Sequence, residues 1–158
     1  MTGCEKAPEA KIAPRIGMRL EAKPAPAITT GGQPTEANLK KAKELGFKTI
    51  VNMRTEGENG SLPDEKGLVE SLGMRYVSIP VAGAAGVTQE NAEALAAVLA
   101  DSAALPVVVH CASGNRVGAI FAMKAFFLDG KSKEEALSLG KTAGLTGLQA
   151  AVEGKLTR

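Results

Sequence analysis

Val107-Val108-Val109-His110-Cys111-Ala112-Ser113-Gly114-Asn115-Arg116 decides how this chain is read. Pro106 precedes three valines, the most apolar strand candidate in the sequence. Beyond Arg116, apolar residues return as Ile120, Phe121, Phe127 and Leu128, a helix that runs to the Asp129-Gly130 break. The polar segment from His110 to Arg116 therefore joins a buried strand to a long helix. A loop in that place can turn several backbone N–H groups inward, and the helix N-terminus adds partial positive charge.

Working outward, the same alternation recurs. Ala27-Ile28-Thr29-Thr30 reads as a short strand, closed by the turn Gly31-Gly32-Gln33-Pro34. Thr35 caps a helix to about Leu45, with Leu39, Ala42 and Leu45 on one face, and Gly46 ends it. Thr49 to Met53 is a buried strand, followed by a polar loop from Arg54 to Ser61 that carries Glu56 and Glu58. Pro63 opens a helix to about Leu72, and Tyr76 to Val81 is the next strand. Ala82 to Val87 is a loop of small residues. Thr88 begins a helix with Leu95, Val98 and Leu99 facing inward. Ser132 and Glu135 form a capping box, and a last short helix covers Leu145 to Leu156.

Alternating strands and helices predict an α/β fold: a three-layer α-β-α sandwich around a mostly parallel central sheet of four to five strands. Sites in such sheets gather in the loops beyond the C-terminal ends of the strands. Residues 1–24, with Pro8, Pro14 and Pro24 among Ala, Lys and Glu, show no sustained period and read as a flexible tail. Residues 25–158 form the catalytic domain.

Composition removes several functional classes. Lys plus Arg number 19 against 17 Asp plus Glu, a balance that lacks the basic footprint of a nucleic-acid binder. Trp is absent and Tyr76 is the only tyrosine, so stacking of bases or sugars is not the main device. No apolar run reaches the roughly 18–20 residues of a membrane span. Cys4 and Cys111 make no disulfide framework, and one histidine without paired cysteines makes no zinc motif. The reading calls for no metal and no cofactor. Thr2-Gly3-Cys4 resembles the end of a bacterial lipoprotein cleavage box. Cys4 would then be a lipid anchor, with a periplasmic or membrane-tethered location; otherwise the expected location is cytoplasmic.

A lone cysteine is most often a small buried core residue. Cys111 differs because Gly114 and Arg116 follow at strand-to-helix spacing. Gly114 permits a backbone angle that a Cβ resists, and Arg116 offers a planar fork for two oxygens of a phosphate-like group. Together with the helix N-terminus they favour the thiolate, making Cys111 a nucleophile. The backbone of Ala112, Ser113, Gly114 and Asn115 would bind the anion with Arg116. His110 is expected to support the loop rather than transfer protons.

The loop resembles the signature of cysteine-dependent protein phosphatases, His-Cys, five residues, then Arg. Gly32-Gln33-Pro34-Thr35, Asn38-Leu39, Gly46 to Arg54 and Tyr76 to Val81 are similar to the bacterial beta-lactamase-hydrolase-like phosphatase family. The same frame resembles the atypical dual-specificity phosphatases. The resemblance implies a hydrolase that acts on phosphate monoesters through a phosphocysteine. Three departures stand against it. Only four residues separate Cys111 from Arg116, the spacing of rhodanese-type sulfurtransferases. The loop from Ala82 to Val87 has no carboxylate where the phosphatase general acid belongs, with Gly83 near that position. Val117 follows the arginine in place of Ser or Thr.

Glu56, Glu58 or Asp64 could replace the acid, although carboxylates in such loops are usually just solvated. Arg54 could be a second cation at the anion site or could pair with Glu58. The competing readings are a sulfurtransferase that carries a persulfide on Cys111 and a module that binds an oxyanion without turnover. The substrate bears phosphate in the first case and sulfur in the second. In every case Arg116→Lys should weaken sulfate or phosphate binding, because a point charge cannot copy the fork. Titration calorimetry checks this, and unchanged affinity would remove Arg116 from the site.

Overall fold

The computed structural model describes residues 14–158. Five strands form one sheet: β1 Ala22–Ala25, β2 Ile28–Gly31, β3 Thr49–Asn52, β4 Arg75–Ser78 and β5 Val107–His110. Their order is β1-β2-β5-β3-β4, with β1 antiparallel to β2 and every other pair parallel. β5 is thus paired on both edges. Val109 lies between Thr30 and Val51, and His110 between Gly31 and Asn52.

Side chains on β5 alternate between the faces with the period of two that a pleated strand imposes. Val107 and Val109 join Val51 in one core, with Leu95 of α3 (Gln89–Leu99), Ile120 of α4 (Asn115–Phe127), Ala136 of α5 (Lys133–Ala143) and Val152 of α6 (Gln149–Lys155). Val108 and Ile50 point the other way, to Leu39 of α1 (Glu36–Glu44) and Val69 of α2 (Glu65–Ser71). Helices therefore cover both faces, and three layers result. Capping follows the sequence signals: Thr35 with Asn38, and Ser132 with Glu135, form reciprocal capping boxes. No helix among the described residues is long and apolar enough to cross a membrane.

Three boundaries differ from expectation. β4 stops at Ser78 rather than Val81, where Pro80 has no N–H to donate. The N–H groups of Ile79 and Val81 still reach the carbonyls of Asn52 and Met53. α6 starts at Gln149 rather than Leu145, because the N–H groups of Thr146 and Leu148 both donate to Asn115 Oδ1. At the other end, the expected tail holds part of the fold. Ile16 and Met18 are buried, and β1 pairs with β2 across a tight turn at Pro26-Ala27. Residues 1–13, with Cys4 and Pro8, lie outside the described residues.

Glu21 organises that N-terminal segment. Its carboxylate accepts from the N–H groups of Ile16, Gly17 and Met18 at 2.7–2.9 Å and pairs with Lys23 at 2.8 Å. Lys23 also donates to Thr29 Oγ1 of β2 at 2.8 Å. A Pro- and Ala-rich stretch without period is held by polar contacts instead of an apolar face. Burial alone would raise the Glu21 pKa, but Lys23 and the three N–H groups outweigh it and hold the group at about 2. Glu21→Ala should cost about 3 kcal/mol, since it strands a covered cation, and lower Tm by roughly 10 °C. Because the folded-state pKa is depressed, this stability is present above pH 4.5 and lost as pH falls toward 2. The gap between wild type and variant should close over that window in a series of thermal melts.

Candidate active site

β5 delivers Cys111 to the C-terminal edge of the sheet centre. The Cys111 N–H donates to the Gly31 carbonyl at 3.3 Å, and the Gln33 N–H donates to the Ala112 carbonyl at 3.2 Å, so the end of β2 anchors the loop on one side. Gly114 then takes φ +91°, a left-handed turn that admits glycine cheaply, and opens α4. The turn brings the Gly114 N–H back to Cys111 Sγ at 3.1 Å. Asn115 and Arg116 begin the helix, where N–H groups have no intrahelical acceptor. Cys111 is 1% exposed.

Arg116 lies where α4, the β3–α2 loop and the end of β4 converge. Its Nη1 and Nη2 donate to Oε1 and Oε2 of Glu58 at 2.8 and 2.7 Å, and Nη1 also donates to the Val81 carbonyl at 3.1 Å. A guanidinium has five N–H donors, so these three bonds leave the Nε–H and one Nη2–H for an oxyanion. Hydrogen bonding to Glu58, and then the charge of the Cys111 sulfur, raise the Arg116 pKa against opposing desolvation. Arg116 in turn holds the Glu58 carboxyl at about 2. Glu58 is therefore ionised at neutral pH and has no proton to give.

Arg54 is buried, and the structure places it beside Glu58 in the loop. Its Nε stands 2.8 Å from Glu58 Oε2, near enough for an ion pair but out of line for a hydrogen bond. Nη1 donates to Gln33 Oε1 at 3.2 Å, and Nη2 donates to the Asn59 carbonyl. Its bonds thus go to its own loop and to Gln33. His110 has no exposed surface; Nδ1 lies 3.1 Å from the Cys111 carbonyl and Nε2 2.7 Å from Glu65 Oε2. The Asn115 side chain is turned to the 146–148 backbone, so its contribution toward the loop centre is limited to its N–H.

The region expected to hold an acid holds none. Gly83 to Gly86 makes a short 3₁₀ turn without carboxylates, and Asn91 Nδ2 donates to the Gly86 carbonyl at 2.7 Å. Lys155 of α6 donates to the carbonyls of Ala84 and Val87. Glu56 is exposed, and exposed Asp64 accepts from the Gly67 N–H as the α2 cap. Val117 is fully buried. Next to Glu58 opens a cavity of about 550 Å³, whose walls include Asn52, Tyr76 and Ser78.

Sequence reasoning missed Glu65 and Gln33. Gln33 Nε2 donates to Glu65 Oε1 at 2.7 Å, and Glu65 is buried. In the sequence, Glu65 looks like any acidic residue in a helix first turn, and only tertiary packing places it under the histidine.

A central parallel sheet with a cysteine loop entering a helix, and an arginine held beside the sulfur, is the architecture of the cysteine-dependent phosphatases. Solved structures agree on the fold. A candidate phosphatase of Neisseria meningitidis Z2491 aligns with TM-score 0.69 at 22% identity, over 84% of this chain and 96% of that one. A candidate phosphatase of Shewanella putrefaciens CN-32 aligns with TM-score 0.67 at 22% identity, over 89% and 92%. The family model described as a DSP-PTPase phosphatase fused to NAD+ kinase matches residues 14–153, and the chain belongs to that cysteine-dependent phosphatase-like family. A beta-lactamase hydrolase-like protein of Agrobacterium fabrum is 32% identical over 121 residues, 74% of this chain. The chain spans 27% of that relative's length.

Gly144 closes the loop from outside. It sits at φ +125°, and a Cβ there would lie 2.6 Å from the Gly114 carbonyl oxygen. Gly144→Ala should cost roughly 1–3 kcal/mol and weaken oxyanion binding, because the displaced carbonyl belongs to the residue that turns the loop. Gly154→Ala, with open space around it, is the control and should leave both unchanged. Thermal melts and sulfate titration check the pair.

Proposed function

We propose that this chain is a phosphate-monoester hydrolase working through a phosphocysteine on Cys111. The observation that carries the reading is the Gly114 N–H on Cys111 Sγ at 3.1 Å, with Arg116 near enough for the same sulfur to raise its pKa. A hydrogen bond from the loop supports the thiolate, and the guanidinium and first-turn N–H groups supply donors for the equatorial oxygens of a phosphoryl group. Cys111 attacks phosphorus, the P–O bond to the leaving group breaks, and the leaving oxygen takes the electron pair. Water then attacks the phosphocysteine, releasing inorganic phosphate and the thiolate. The cavity beside Glu58 offers room for the non-reacting part of the substrate.

Leaving groups should matter more than in an enzyme with a placed acid. Glu58 is ionised and doubly engaged, and the Ala82–Val87 loop holds no donor side chain. Aryl phosphates, whose leaving groups need little protonation, are therefore the expected substrates. The four-residue spacing between Cys111 and Arg116 favours one second reading, in which the Cys111 thiolate takes the sulfane sulfur of thiosulfate, releasing sulfite, and the persulfide passes that sulfur to an acceptor thiolate.

Turnover of an aryl phosphate should be measurable in the wild type, and alkyl phosphates such as phosphoserine should be slower by about 10²–10⁴-fold. Cys111→Ser should abolish both. Intact mass after exposure to each donor distinguishes the readings, since a phosphoryl adduct and a persulfide differ clearly in mass. Activity retained in Cys111→Ser would end the assignment, and sulfur transfer alone in the wild type would replace it with the second reading.

A further inference from the structure

We infer that Glu65 is a positioning residue for the Cys111 loop, acting through His110; the inference rests on the reading of Cys111 as the nucleophile. The geometry is a buried line of three groups. Glu65 Oε2 lies 2.7 Å from His110 Nε2, and His110 Nδ1 lies 3.1 Å from the Cys111 carbonyl oxygen. Glu65 is 5% exposed and His110 is 0% exposed. Gln33 donates to the second carboxylate oxygen at 2.7 Å and so fixes its rotation, and Gln33 Oε1 is held in turn by Arg54.

A carbonyl oxygen can only accept, so the bond to Cys111 needs the ring proton on Nδ1, and Nε2 is left to face the Glu65 carboxyl. The other charged groups near the pair are Arg54 above Gln33 and Arg116 beyond Glu58. The Tyr76 hydroxyl is pushed up by burial and by the negative charge of Glu65.

The Cys111 carbonyl and the Ala112 N–H belong to one planar peptide group. Whatever holds the carbonyl therefore aims the Ala112 N–H, the first amide of the loop after the sulfur-bearing residue. Without the carboxylate, a neutral ring has one proton and nothing fixes which nitrogen bears it. With the proton on Nε2, the lone pair of Nδ1 would face the lone pairs of the carbonyl and the peptide would rotate away. Glu65 thus acts at one remove: it sets the ring, the ring sets the peptide, and the peptide sets the loop.

His110 is the only histidine of the chain, so its ring nitrogens can be read without ambiguity by long-range ¹H–¹⁵N NMR. In the wild type Nδ1 should show the protonated signature. In Glu65→Gln the introduced amide can donate to Nε2 and still accept from Gln33, so a single proton should remain on Nδ1. In Glu65→Ala the ring should show a mixture of neutral forms or a proton on Nε2. Cys111 alkylation by iodoacetamide at pH 7, and kcat/KM on an aryl phosphate, should fall by about 10²-fold in Glu65→Ala and stay close to wild type in Glu65→Gln. Simple loss of packing would give no such rescue with matching imidazole signals. Wild-type ring signals and alkylation in Glu65→Ala would overturn the inference, as would equal damage in Glu65→Gln with the proton still on Nδ1. If Glu65→Ala does not fold, a Glu65→Gln ring proton found on Nε2 overturns it and one on Nδ1 supports it. A wild type without phosphatase activity would remove the proposed reaction, while the NMR and alkylation arms still decide the role of Glu65.

Discussion

Three consecutive valines give β5 no polar side chain before His110, and the strand takes a partner on each edge and an apolar layer on each face. The sheet supplies β2 and β3 on the two edges, and α4 and α1 bring apolar residues to the two faces. Because parallel strands point the same way, the chain ends of β2, β3 and β5 emerge together. Gly31, Asn52 and His110 stand level with one another, and the loops and first helical turns that follow them hold Gln33, Arg54, Glu58, Glu65, Cys111 and Arg116. The double pairing of β5 is the constraint from which the position of Cys111 follows.

Charge is arranged around that position economically. Two guanidiniums, Arg54 and Arg116, share the single carboxylate of Glu58, which leaves one net positive charge beside the sulfur in addition to the helix N-terminus. The second carboxylate, Glu65, is assigned to the histidine below the loop. Arg54 reaches Glu65 only through Gln33, so the two carboxylates are joined by a polar chain in which each guanidinium and amide has a defined partner.

Much of this was legible in the sequence, and the limits have physical causes. The valine run, the Gly114 turn and the capping residues Thr35 and Ser132 are local signals, and local signals survive in a linear reading. The pairing of Arg54 with Glu58 was one of two readings left open, because a spacing of four residues in a loop does not fix geometry as it does on a helix. Glu65, Gln33 and the turned-away Asn115 side chain depend on what lies across the fold from them, and no periodicity reports that. The N-terminal strand was missed for a related reason. Its stability comes from Glu21 and Lys23 reaching backbone and β2, in a stretch whose composition alone suggests disorder.

The loop from Ala82 to Val87 is held almost wholly by its carbonyls. Arg116 takes the oxygen of Val81, Asn91 that of Gly86, and Lys155 those of Ala84 and Val87. Every residue has a carbonyl, so this anchorage is indifferent to which side chains stand at 82, 84 and 85, and those three are exposed. Gly83 and Gly86 are the exceptions, since Gly83 sits at φ +57° and a Cβ at Gly86 would press on Val81 at 2.9 Å. The fold therefore provides a segment next to Arg116 whose side chains at 82, 84 and 85 can be exchanged without loosening its attachment. A carboxylate, a cation or an apolar group could be placed there at little structural cost, and the chemistry of the site could diverge within an unchanged scaffold.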